Sequence, residues 1–229
     1  MNVQYLIDEF IENNKDEKKA EFDKGLITSK YPIKGIKTSL LENFAKKLAK
    51  NNINIKDIQL DCHEKIVIAG MVIGYKKYDN KDKIRDLEYL IPFIDNWGSC
   101  DMIVPRLKGL ENEREFFEKL LTNNYPFAKR IGIVWLMKFC LKNDLRNVVN
   151  KLKTVYDSNY YVQMALGWCY AEAFLYDFDY MYNFIITLSQ KFVIAKTLQK
   201  VCESLRVTKD QKIKIKNLRK LTQSKTSEL

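Results

Sequence analysis

Histidine is nearly missing from this sequence. His63 is the only one in 229 residues, which argues against multi-histidine metal sites and the histidine-based triads behind most hydrolase chemistry. Glycine and proline are also scarce, at 8 and 4, too few for the many turns of a β-rich fold. No apolar run reaches the roughly 20 residues needed to span a bilayer. The opening MNVQYLIDEF lacks the basic-then-apolar order of a secretion signal, so a cytoplasmic protein without membrane association is expected. The five cysteines, Cys62, Cys100, Cys140, Cys169 and Cys202, sit singly within apolar helical patterns. Zinc ligands or a disulfide framework would come in close pairs, so these read as reduced core residues. Gly-rich phosphate loops following a strand are missing too, and neither a metal nor a nucleotide cofactor is expected.

Positive charge is abundant. The formal net charge is +10, and from Lys191 onward eleven cations face only Glu203, Asp210 and Glu228, a net +8. The first thirty residues come out at −2. Such asymmetry suggests a polyanionic partner, because Lys and Arg that neutralise phosphates release condensed counterions on binding. A solvated, lysine-rich helix face is the plainer alternative.

Apolar residues recur at spacings of three and four almost throughout, as in Ile66, Ala69 and Ile73 or Ile131, Val134, Trp135 and Leu141. This predicts an all-α fold with helices near 2–13, 15–29, 39–50, 63–79, 82–93, 97–107, 112–122, 126–142, 146–156, 159–176, 179–188, 192–206 and 209–221. Ser39 with Glu42 and Thr208 with Gln211 both fit the capping box at a helix start. Short connectors make neighbours antiparallel, and two helices about every forty residues is the arithmetic of a HEAT-like α-α superhelix, with an irregular helical globule as the alternative. One domain spanning 1–229 is expected, with a short basic, frayed tail at 222–229.

The segment Asp95-Asn96-Trp97-Gly98-Ser99-Cys100-Asp101 carries the most chemistry. Asp95 or Asn96 can cap a helix, and a spacing of four puts Trp97 and Asp101 on one face, about 5–6 Å apart at Cβ. An aromatic face can hold a sugar edge or a cationic ring, while a carboxylate stabilises developing positive charge. A buried Trp beside a cap-region Asp gives the same spacing. Lys129-Arg130 opens an apolar helix where a guanidinium can grip a phosphate bidentately. Tyr161, Ala165 and Trp168 share a face, with Gly167 allowing close approach of a neighbouring backbone. Trp135 lies on an apolar stripe and belongs to the core. Lys34-Gly35-Ile36-Lys37 can form a phosphate-binding turn or a simple connector.

Taken together these segments, with Tyr31-Pro32-Ile33, Pro105, Gly109 and the stretch Ala195–Ser204, resemble the AlkD-like DNA alkylation repair family of HEAT-like repeat DNA glycosylases. The resemblance implies that Asp101 is the catalytic carboxylate and that Trp97 and Trp168 contact the lesion-bearing deoxyribose. It also implies a DNA-backbone contact at Arg130; Lys129 beside it, and Lys34 and Lys37 of the Gly35 turn, are the further candidate backbone contacts. The implied activity is excision of cationic alkylated purines, N7-alkylguanine and N3-alkyladenine, from double-stranded DNA without base flipping, on a surface with no deep site. Gly98 stands where many members carry an acidic residue. Glu172, one turn beyond Trp168, is expected to repel phosphate if it faces the groove. The alternative is a non-catalytic DNA-binding or protein-binding scaffold of the same family. A monomer is the default expectation.

Overall fold

In the computed structural model, residues 3–51 and 53–224 are described, and among them the chain is all-helical, with thirteen α-helices and no strand. It divides into two compact units, Met1–Phe116 and Phe117–Leu229.

The first unit holds α1 (Val3–Asn14), α2 (Glu17–Leu26), α3 (Thr38–Leu48), α4 (His63–Tyr75), α5 (Asn80–Leu90) and α6 (Trp97–Ile103). Its centre is α4, in which Ile66, Val67, Ile68, Ala69, Met71, Val72 and Ile73 are all buried, apolar on every side as a helix surrounded by others must be. Helices α3, α4 and α6 run side by side in one direction. Their first turns meet, since Thr38, His63 and Trp97 line one pocket. Their far ends meet as well: Lys46 in the last turn of α3 lies over the Tyr75 ring, 5.1 Å from its centroid, and Gly74 lies against the backbone of Arg106 in the 3₁₀ turn Val104–Arg106 that follows α6. Helix α5 runs back between α4 and α6. Lys83, 5% exposed, fixes its start by donating to the carbonyl groups of Gly74 (3.3 Å) and Lys108 (2.5 Å).

The second unit repeats this logic with α8 (Pro126–Trp135), α9 (Leu145–Lys153), α10 (Tyr160–Ala173), α11 (Phe178–Ile185), α12 (Lys191–Glu203) and α13 (Lys209–Ser224); α7 (Arg114–Leu120) lies at the boundary between the units. Helices α8, α10 and α12 stack in parallel, start against start: Phe127 meets Tyr161 at 5.4 Å between ring centroids, and Tyr160 meets Phe192 at 5.9 Å. Gly167 of α10 packs against α12. A Cβ there would stand 3.2 Å from the Lys196 Cβ, tighter than most real contacts, and 3.5 Å from the Thr197 nitrogen, at ordinary van der Waals distance. Helices α9 and α11 form a second row, joined by Arg146 over the Tyr180 ring at one end and Lys153 to Thr187 (3.0 Å) at the other. Trp135 is fully buried and stacks on Phe117 at 4.4 Å, a core residue as expected.

Three local expectations fail. The Ser39–Glu42 capping box does not form: α3 begins at Thr38 with no side-chain cap, because the Glu42 carboxylate is already taken by Lys46, Tyr75 and Arg106. The predicted helix 126–142 ends its α-helical ladder at Trp135 and finishes as a π-helical turn, Leu136–Cys140. The connector 49–62 between α3 and α4 is long and contains an unexpected 3₁₀ turn, Ile55–Asp57. That length is what lets α3 and α4 run parallel. The Thr208–Gln211 box does form, with Gln211 N–H on the Thr208 hydroxyl (3.2 Å) and Thr208 N–H on the Gln211 side chain (3.1 Å). Residues 222–224 continue α13, and the rest of the predicted tail, 225–229, lies outside the described residues.

Candidate functional site

Asn96 begins the site. Its backbone is extended and its Oδ1 accepts the Ser99 N–H at 2.9 Å, which starts α6 at Trp97 as the capping preference of Asn dictates. Asp95 takes a different task. Its carboxylate accepts from the Ser29 hydroxyl (3.0 Å) and the Lys30 N–H (2.6 Å), tying the segment after α2 to the start of α6. Trp97 is half-buried, and its Nε1–H donates to the Leu26 carbonyl at 3.2 Å, one of the last carbonyls of α2. Asp101 follows one turn later and is also half-buried.

Trp97 and Asp101 line one pocket of about 290 Å³, built wholly within the first unit. Its apolar wall includes Leu26, Ile27, Ile36 and Met102. Its polar lining is acidic: the carboxylates of Asp23, Glu64 and Asp101 face a single ammonium, Lys19, which is paired with Asp23 at 2.7 Å. The starts of three parallel helices and the end of α2 leave a gap that their backbones cannot fill.

At the pocket floor lie His63 and Glu64, 4% and 1% exposed. Glu64 accepts the N–H groups of Lys34 (2.9 and 3.0 Å) and Gly35 (2.8 Å). Those two N–H groups of the Lys34–Lys37 turn thus already hold an internal carboxylate, and a phosphate at this turn would meet side chains, half-buried Lys34 and exposed Lys37. Gly35 sits at φ 75°, and a Cβ there would run into the Asp16 and Ala20 backbone, so this turn needs glycine. Burial pushes the His63 imidazole below its usual range, against the pull of Glu64, Asp95 and Asp23.

In the second unit, Lys129 is ion-paired with Asp157 at 2.6 Å. Burial alone would raise the Asp157 carboxyl, but the Lys129 bond and the Asn159 N–H outweigh it and hold the group below its ordinary value. Arg130 is only 5% exposed and donates to the Tyr161 carbonyl at 2.8 Å. Both cations thus connect the start of α8 to the start of α10. Trp168 is half-buried on α10. Glu172 is partnered by Arg206 at 2.5 Å, which offsets the repulsion toward phosphate expected of it.

Sequence reasoning missed a basin at the far ends of α3 and α4. Lys46, Lys50, Lys76, Lys77 and Lys108 surround Tyr75 in an open hollow of about 750 Å³ with no carboxylate in its lining. Lys46 and Lys108 lie over the Tyr75 ring, 5.1 and 5.5 Å from its centroid. Lys46 and Lys50, one helical turn apart, and the doublet Lys76-Lys77 were the local signals; folding brings the two groups together with Lys108.

Among the described residues, no helix is long and apolar enough to cross a membrane. Comparison with curated proteins gives no match. Comparison with protein families matches residues 7–202 to the family described as DNA alkylation repair enzyme, a span that takes in Lys34, Lys37, Trp97, Asp101, Lys129, Arg130 and Trp168. Most of the sequence falls within that match, and the chain belongs to the DNA alkylation repair enzyme family.

Proposed function

We propose that this protein is a metal-free, monofunctional DNA glycosylase that excises cationic alkylated purines, N7-alkylguanine and N3-alkyladenine, from double-stranded DNA, with HEAT-like stacked helices as its frame. The observation that carries this reading is the placement of Trp97 and Asp101 together on one acidic, aromatic-walled pocket in a chain of net charge +10. The parallel stacking of alternate helices within each unit supports the repeat-like frame.

An alkylated purine already carries positive charge and is a good leaving group. When its glycosidic bond to C1′ breaks, the bonding pair neutralises the departing base and leaves an oxocarbenium-like sugar. Asp101 stabilises that cation electrostatically and orients the water whose oxygen attacks C1′; the water's proton passes to the carboxylate and on to solvent. Trp97 shields the sugar from bulk water. In the second unit, Trp168 is assigned to the deoxyribose and Lys129 and Arg130 to the DNA backbone. Lys34 and Lys37 hold phosphates beside the pocket. The family resemblance implies that this chemistry acts on a base left in the stack, without base flipping.

The test is incubation with methylated duplex DNA and detection of free 7-methylguanine or 3-methyladenine. Release is expected from the wild type and about 10²–10³-fold slower release from Asp101→Asn. No release by the wild type would remove the reading. One observation favours a second reading, a DNA-binding scaffold without catalysis: the five-lysine basin around Tyr75 offers a polyanion site with no catalytic group in its lining. Duplex binding that falls steeply with salt, without base release, would select it.

A further inference from the structure

The lysine basin at the far ends of α3 and α4 carries more charge than its own fold neutralises. Of the ammonium groups around Tyr75, Lys46 is paired with Glu42 at 2.7 Å and Lys76 donates to the Ile53 carbonyl at 2.6 Å. Lys50 and Lys77 are exposed, and no side-chain partner of either is found among the described residues; Lys108 is exposed and lies over the Tyr75 ring. Like charges gathered without a counter-charge repel one another, so the basin gains from an anion. The last carbonyl groups of α3 and α4 offset this only in part, by about half an elementary charge per helix. A single phosphate cannot reach every ammonium group around an open hollow of about 750 Å³, whereas a chain of phosphates can.

Helix geometry relates the basin to the pocket that holds Trp97 and Asp101. Thr38 lines the pocket and Ala49 lines the basin. Eleven residues separate them, which is three turns plus about 20°, so pocket and basin open on the same side of α3, about 16 Å apart along its axis. Glu42 lies between them, but Lys46 and Arg106 neutralise its carboxylate, so a polyanion passing over this stretch meets no net negative charge. Phosphates along one strand of a duplex advance about 3.4 Å each, so about 16 Å spans about five of them. We infer that the basin holds the backbone of the same duplex whose lesion lies at Trp97 and Asp101, about five base pairs to one side of it. This rests on the proposed glycosylase function, and it gives the five lysines a different task from the scaffold reading, because one duplex occupies both ends of α3 at once. Backbone contacts fix position and orientation without reading bases, so this anchor serves any flanking sequence.

Two measurements on the full chain test this separately from the excision reading. The first is affinity for duplexes carrying one N7-methylguanine, placed centrally or so near one end that the flank is shorter than the reach of about five base pairs. It is taken at low salt, at times too short for base release, in wild type and in a triple variant, Lys50→Gln, Lys77→Gln and Lys108→Gln. All three lysines are exposed, so the variant should fold and melt as the wild type does. Cutting the flank on one particular side should weaken wild-type binding about tenfold, and cutting the other should change it little. The variant should bind the intact duplex about tenfold more weakly and respond alike to the loss of either flank. The second measurement is release of 7-methylguanine under saturating protein, expected at the same rate in both, since no basin lysine lines the pocket. Binding that depends on flank and lysines, with no base release by either protein, would keep the anchor and discard the glycosylase. Base release by a wild type indifferent to both flanks would keep the glycosylase and overturn the anchor. Equal affinity of wild type and variant on every duplex would leave the hollow to another polyanion and likewise overturn it.

Discussion

The two ends of the α3–α4 pair have opposite character. At their first turns lies the acidic pocket with Glu64, Asp101 and Trp97; at their last turns lies the basin with Lys46, Lys50, Lys76, Lys77 and Lys108. Parallel helices align their dipoles, so amide N–H groups gather at one end and carbonyl groups at the other. Carboxylates are stabilised near the first and ammonium groups near the second. The stacking direction that makes the fold compact therefore also sorts the charge. Between the ends, Glu42 ties Lys46, Tyr75 and Arg106 together and separates the two fields.

Breaking the pocket end should be the most costly change. In Gly35→Ala the new Cβ meets the Asp16 and Ala20 backbone at a positive φ, and the turn that presents its N–H groups to Glu64 must shift. A loss of about 3 kcal/mol is expected, seen in thermal unfolding as a fall of roughly 6–12 °C. An unchanged melting temperature would mean that the turn is not the rigid support described. The basin end should respond differently. Lys50→Glu with Lys77→Glu changes two exposed lysines, so stability should hold while duplex affinity drops about tenfold. The slope of log affinity against log salt should flatten by about one for each phosphate that the variant no longer neutralises. An unaltered slope would take the basin out of the DNA-binding surface.

The smallest effect concerns the tie between the ends. Hydrogen bonds from Lys46, Tyr75 and Arg106 hold the Glu42 carboxyl down to about 2, against an ordinary 4.5. A depressed folded value means the stabilisation is fully present above about pH 4.5 and is lost as pH falls toward 2. Glu42→Gln should therefore flatten the dependence of melting temperature on pH in that window and leave its shape above pH 5 unchanged. Equal slopes in the two proteins would show that the carboxylate is not held as described.

Local signals were legible in the sequence, and long-range ones were not. The Asn96 cap, the Thr208–Gln211 box, the buried Trp135 and the close approach at Gly167 each depend on residues a few positions apart or on one helical stripe. Ser39 and Glu42 match a capping box just as well, yet Glu42 is captured by Tyr75 and Arg106, 33 and 64 positions away. The pocket was invisible for the same reason, because its lining comes from four helices and the residues between them. His63 shows the difference most sharply: a single histidine argues against a triad, and its contact with Asn96, 33 positions later, is made only by the fold. The Trp97–Asp101 spacing was readable; the acidity of the pocket they line was not.

The central claim, that Asp101 is the group on which base excision depends, is tested most directly by single-turnover release of 7-methylguanine from methylated duplex DNA by wild type and Asp101→Asn under saturating protein. The account predicts release by the wild type, a rate about 10²–10³-fold lower in the variant, and duplex affinity that is unchanged. Release at the same rate by both proteins would contradict it.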